Sequence, residues 1–144
     1  MAAYSPVPDS IETILAFDYG AKNIGVAVGQ TLSRTAEPLT VVSQKHGKID
    51  WVAIDKLFDE WRPDRVVVGF PNTRDGESLP IHAAIKRFVV RLEQRFELPV
   101  TLFDERLSSF EAAQQSHLDR HRLDAIAAQM ILESWLNAEH QEKY

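Results

Sequence analysis

The chain has 144 residues, enough for one domain with a real hydrophobic core, and its 44% apolar and 26% charged residues are the composition of an ordinary soluble protein. No apolar run is long enough to span a bilayer, and the stretch Met1–Ser10 has neither the basic nor the apolar region of a secretory signal. Cysteine is absent, which excludes disulfides and thiolate metal sites and suits a cytoplasmic protein with no membrane partner.

In chain order, residues 1–10, with Pro6 and Pro8, read as a mobile N-terminal tail. Residues 11–138 read as a single domain and 139–144 as a polar C-terminal tail. Glu12 to Asp18 is a short apolar strand ending in a carboxylate. A turn through Tyr19-Gly20-Ala21-Lys22 follows, Gly20 being free to take a positive φ, and Asn23 to Gln30 returns as the second strand. Pro38 to Ser43 supplies a third strand, and Lys45 to Lys48 a polar connection.

Trp51, Ile54, Leu57, Phe58 and Trp61 form one stripe at helical spacing, with Asp50 as the expected cap and Pro63 as the stop. Arg65 to Phe70 holds the β-branched run Val66-Val67-Val68 of a strand covered on both faces. Pro71 to Ser78 is a polar loop with the turn pair Asp75-Gly76. A second helix spans about Leu79 to Glu97, burying Ile81, Ala84, Ile85, Phe88, Val89 and Leu92. Pro99 to Phe103 is a fifth strand with Asp104-Glu105-Arg106 at its end. Ser108-x-x-Glu111 is a capping box, and Leu123 to Asn137 a final apolar helix. The expected architecture is α/β: a mixed five-stranded sheet, three strands in an antiparallel meander and then parallel strands, with helices on both faces.

The acidic residues sit where such sheets place active sites. Asp18 ends the first strand, Glu105 follows the fifth, and Asp124 begins the last helix. Asp18 and Glu105 would meet if their strands were parallel neighbours. Three carboxylates on one spot repel one another without a cation, and hard oxygen donors suit Mg²⁺ or Mn²⁺. A pair of such ions ~4 Å apart can activate water and stabilise the leaving oxygen of a phosphodiester. The site carries a structural condition. In one unbroken helix from Ser108 to Asn137, Asp124 would stand ~24 Å from Ser108 at ~1.5 Å per residue. The chain must therefore break between about Ser116 and Arg122, with Asp119 as a candidate cap. The net charge of −5 decides nothing: phosphate binding favours positive surface, but site carboxylates would be neutralised by cations. The basic residues are also grouped, as Lys86, Arg87, Arg91 and Arg95 and as Arg120, His121 and Arg122.

Four blocks in order resemble the YqgF/RuvX family of the RNase H-like superfamily. They are Phe17-Asp18-Tyr19-Gly20-x-Lys22-x-Ile24-Gly25-Val26-Ala27, Val68-Gly69-Phe70-Pro71 with Asp75-Gly76, Asp104-Glu105-Arg106-Leu107-Ser108, and Asp124-Ala125-x-Ala127-Ala128. The resemblance runs from about Ile14 to Trp135. It implies a nuclease maturing pre-16S ribosomal RNA, with a Holliday junction resolvase acting on branched DNA as the alternative. Asp18, Glu105 and Asp124 fall on the family's acidic positions, and Lys22, Arg106 and Ser108 on its polar neighbours. Asn23 stands where arginine is frequent and Ser109 where threonine is. The segment between Glu105 and Asp124 is short and lacks a loop containing glycine and lysine.

By this reading Asp18, Glu105 and Asp124 hold the metal, while Lys22 and Arg106 contact substrate phosphates. Lys22 reads equally as an exposed turn residue, and Arg106 as a brace for its acidic neighbours. Glu105 is assigned to the metal by resemblance, and Asp104 is left to local hydrogen bonding. Ser108 is a helix cap, the five histidines show no metal-ligand spacing, and Trp51, Trp61 and Trp135 belong to the core. Two other classes compete: a non-catalytic nucleic-acid-binding or regulatory module, and an actin-like ATP-binding domain. The second needs two such domains, and this chain has room for one.

Overall fold

The computed structural model describes residues 11–72, 78–105 and 120–142, and for residues 105, 120–122 and 139–142 the backbone alone. Strands β1 (Thr13–Tyr19), β2 (Asn23–Gln30), β3 (Thr35–Lys45) and β4 (Lys48–Ile49) precede helix α1 (Trp51–Trp61). Then come β5 (Arg65–Pro71), α2 (Pro80–Phe96), β6 (Val100–Glu105) and α3 (Arg120–Glu142). The sheet has six strands in the order β4-β3-β2-β1-β5-β6. β1 to β4 are antiparallel in turn, whereas β5 lies parallel to both β1 and β6.

The sixth strand corrects the expected count of five. Lys45 and Lys48 pair directly, joined by His46 at φ 54° and Gly47 at φ 76°. Two consecutive left-handed residues make the tight turn whose twist matches that of paired strands. The segment reads as a polar connection because an edge hairpin this short carries no apolar alternation. β3 is also longer than expected, with a bulge where Val26 faces Thr40 but Ala27 faces Pro38. Proline has no N–H to give a ladder, so pairing shifts at that point.

Strand alternation divides the core. Leu15, Phe17, Ile24, Val26, Val28, Val66, Val68, Val100 and Leu102 are buried on one face with Ile54, Leu57 and Phe58 of α1 and Ile85, Phe88, Val89 and Leu92 of α2. Phe17 lies edge-on to Phe88, with ring centroids 5.6 Å apart. On the other face Ile14, Ala16, Ala36 and Val67 meet Ile131, Leu132, Trp135 and Leu136 of α3. Trp135 is fully buried, while Trp51 and Trp61 are half-buried against the α1–α2 core.

Local capping follows the sequence. Asp50 Oδ1 accepts the Ala53 N–H at 3.2 Å, opening α1. Arg62 in the left-handed conformation closes it, its N–H bonded to the Phe58 carbonyl at 2.9 Å. At the start of α2, the Leu79 N–H donates to His82 Nδ1 at 3.1 Å. The other ring nitrogen of that buried histidine bonds the Pro71 carbonyl, tying the end of β5 to the helix. No helix among the described residues is long and apolar enough to cross a membrane.

Candidate functional site

The C-terminal ends of β1 and β6 carry Asp18 and Glu105, and α3 carries Asp124. Asp18 is the penultimate residue of β1, half-buried, and lies directly opposite Gly25 of β2. Residues directly opposite in an antiparallel pair project to the same face. On that face Gly25 is pressed against α3. A Cβ at Gly25 would stand 1.9 Å from the backbone carbonyl oxygen of Asp124. Only a residue without a side chain admits the helix so close to the strand. Asp124, half-buried in the second turn of α3, is thereby brought beside the partner of Asp18.

This approach is built along the whole of β2. Ile24, Val26 and Val28 point into the α1–α2 core, leaving Gly25, Ala27 and Gly29 toward α3. A Cβ at Gly29 would lie 2.9 Å from Leu132 Cδ2 and 3.3 Å from the Ala36 side chain. Helix α3 answers with its own small residues, Ala125, Ala127 and Ala128, all buried. Small faces opposed to small faces let backbone approach backbone. The sequence reading did not single out Gly25 as a positioning residue. Its signal is the alternation Gly25-Val26-Ala27-Val28-Gly29, which marks one strand face as stripped of bulk.

Glu105 ends β6, where its backbone pairs with Pro71 of β5. β1 and β6 run in the same direction but are not neighbours, because β5 lies between them. The condition of direct parallel neighbours is therefore not met, and Asp18 and the Glu105 backbone flank the end of the middle strand. Asp104, the preceding residue, accepts a hydrogen bond from Asn72 Nδ2 at 2.7 Å, the local role expected of it. Lys22 is exposed in the turn between β1 and β2, and its carbonyl accepts the Gln44 N–H at 2.9 Å. Gly20 does not use the positive φ open to it. An added Cβ would instead meet the Asn23 carbonyl oxygen at 2.6 Å, so close approach excludes a side chain there. Arg106, the Ser108–Glu111 capping box, the Asp75-Gly76 turn and the Asp119 cap lie outside the described residues.

Among the described residues the acidic donors at this corner are carboxylate oxygens. Asp18 and Asp124 are both half-buried and offer hard carboxylates, and the chain has no cysteine thiolate to compete with them. Such donors fit a hard divalent cation. Among the described residues no group of three or more His, Cys, Asp or Glu side chains stands ready to enclose a metal; the Glu105 side chain is outside that set. Neither of the two histidine side chains among the described residues contributes here. His82 is engaged with Pro71 and Leu79 and stacked on Phe70 at 4.2 Å, and His46 is exposed in the β3–β4 turn.

Comparison with known proteins agrees with this architecture. The family profile described as "RuvX: Holliday junction resolvase" matches residues 12–138. A relative from Pectobacterium carotovorum subsp. carotovorum, named "Putative pre-16S rRNA nuclease", is 46% identical over 135 residues, covering 89% of this chain and 97% of its own. A relative of the same name from Hydrogenovibrio crunogenus is 45% identical over 125 residues, covering 87% and 93%. Among solved structures, RuvC of T. thermophilus in complex with Holliday junction substrate superposes with a TM-score of 0.57 at 15% identity, covering 89% of this chain and 95% of that one. The fowlpox virus Holliday junction resolvase gives 0.53 at 17% identity, covering 88% and 99%. At these identities the structural likeness establishes the fold, an RNase H-like sheet.

Proposed function

The chain belongs to the RuvX family, and from that premise we propose that it is a divalent-metal-dependent nuclease hydrolysing phosphodiester bonds in the maturation of pre-16S ribosomal RNA. The observation that carries the reading is the packing of the Asp124 backbone on Gly25, opposite Asp18. It brings the last helix onto β2 beside the C-terminal end of β1, where such chemistry is housed. The packing of Asp124 on β2, opposite Asp18, supports this reading of the short segment after Glu105.

In this reading Asp18, Glu105 and Asp124 hold the metal, as Mg²⁺ or Mn²⁺ and as a pair of ions. When bound, the ions supply charge neutralisation and a more acidic water for attack on phosphorus. The protein's part is positional. In this reading the end of β1 and the start of α3 present two carboxylates, and like charges held close together would favour cation capture. Lys22 in the exposed turn, together with Arg106, is the candidate phosphate contact. Phosphoryl transfer of this kind needs placement and charge compensation and no covalent nucleophile.

Purified protein should be incubated with precursor 16S ribosomal RNA and with a four-way DNA junction, in Mg²⁺, in Mn²⁺ and in chelator. Metal-dependent cleavage of the RNA is expected, falling to the no-enzyme background in Asp18→Asn while the folded state is kept. Cleavage that survives chelation or survives Asp18→Asn removes the assignment. Preferential cutting of the junction would move the substrate to branched DNA, the reading favoured by the likeness to resolvases. Binding of either probe without turnover in any metal would make the chain a non-catalytic module.

A further inference from the structure

The basic residues of α2 have no place in the chemistry described above, yet they line a groove. Arg87, Arg91 and Arg95 recur every four residues on α2, so the helix presents them one above another, ~6 Å apart. Facing them across a cleft of about 660 Å³ are Gly47, Lys48 and Ile49 of the β3–β4 hairpin and Trp51 of α1. A smaller hollow continues the cleft along Gly47, Ile49 and Arg91 to Arg87, Gln44 and Tyr19. Tyr19 directly follows Asp18, and its hydroxyl donates to Gln44 Oε1 at 3.0 Å. Gln44 in turn donates through Nε2 to the Gly20 carbonyl at 2.7 Å and through its backbone N–H to Lys22. The groove therefore leads back to the turn that carries Lys22, at the edge of the carboxylate corner.

The charges in this groove are unequal in use. Arg95 is committed, forked onto Asp55 through Nε at 2.8 Å and a second guanidinium nitrogen at 2.7 Å, and lying over Trp51 at 5.2 Å. Arg87, Arg91 and Lys48 are exposed, and among the described residues none of them is ion-paired. A row of uncompensated cations in a protein of net charge −5 is a local reversal of sign. Cations left unpaired in a concave surface attract a polyanion, and their spacing is comparable with that of successive phosphates along one strand.

We propose that the groove between α2 and the β3–β4 hairpin carries the phosphodiester backbone of the nucleic-acid substrate, with Arg87, Arg91 and Lys48 contacting its phosphates. The proposal rests on the nuclease reading and extends it to a substrate track on the face of the sheet away from α3. Contacts of this kind position the strand and carry no base specificity, so they serve RNA and DNA alike.

The test uses the full chain in chelator, where binding is read without turnover. Fluorescently labelled RNA stem-loop and four-way DNA junction are titrated at several salt concentrations with the parent and with Arg87→Gln/Arg91→Gln. Lys56→Gln/Arg62→Asn, which alters exposed cations outside the groove, serves as the charge control, and thermal melts confirm that all three proteins are folded. For the probe the parent binds, the groove variant should lose about tenfold in affinity, with the log–log salt slope flattened by about two. The control should stay within about twofold of the parent. Equal affinity and slope for parent and groove variant would overturn the groove while leaving the nuclease reading standing, and so would an equal loss in the control. Failure of the parent to bind either probe would overturn both.

Discussion

A single hydrogen atom in place of a side chain decides where α3 sits. Gly25 leaves no room for a Cβ against the Asp124 carbonyl, so the substitution Gly25→Ala forces strand and helix apart. We expect it to cost about 3 kcal/mol, the upper part of the range for overpacking, because the Asp124 carbonyl it would meet is backbone and cannot rotate away. Urea unfolding would measure this. Cleavage should fall in parallel, since Asp124 moves with its helix. Asp18→Asn differs in kind: it should leave the unfolding midpoint close to that of the parent while removing activity. At this scale the sequence was legible for chemical type and silent on contact. The carboxylates at strand and helix ends are visible as residues, and Asp104 is separable from Glu105 because adjacent strand positions alternate. That Gly25 is the seat of Asp124 requires knowing which strand α3 crosses, and no local pattern carries that. Gly20 shows the same limit, since its place is set by the Asn23 carbonyl and not by its own φ.

Between elements, α1 and α2 are joined at the surface by the fork of Arg95 on Asp55. The hydrogen bonds from Arg95 hold the Asp55 carboxyl below its ordinary value of 3.8, and the charge attraction adds to them against a desolvation cost. The folded chain thus releases this proton more readily than the unfolded one. Its contribution to stability is present above pH 3.8 and is lost as the pH falls through the lowered folded value. Asp55→Asn should therefore lower the melting temperature slightly at neutral pH, and the gap from the parent should close in strongly acidic buffer. High salt should narrow the gap as well, because both side chains are partly exposed. Persistence of the gap in acid would assign it to packing of the Arg95 stem over Trp51 instead. The helices themselves were readable: their apolar stripes, the Asp50 cap and the Pro63 stop all recur in the structure. The β3–β4 hairpin was not, because two lysines, a histidine and a glycine give an edge strand no apolar signature.

Over the whole molecule, the sheet is covered on both faces by helices from different parts of the chain, as the run Val66-Val67-Val68 implied. Trp135 is the largest fully buried side chain and sits in the α3 face. Trp135→Ala should cost about 4 kcal/mol and loosen α3 from the sheet, measurable by denaturant unfolding and by faster amide exchange in β2. Mixed strand direction and two helical layers were legible from element order. The position of β5 between β1 and β6 was not, since a helical crossover sets direction and hand but leaves the landing place to packing. The late position of α3 in the chain has a consequence for how the protein comes into being. Ile14, Ala16, Ala36 and Val67 are all translated before the helix that covers them, so a growing chain presents one greasy sheet face until α3 emerges. Until then the Asp18 corner also lacks its partner from α3. Birth on the ribosome therefore imposes a delay: the nascent polypeptide is at its most aggregation-prone until α3 has left the exit tunnel.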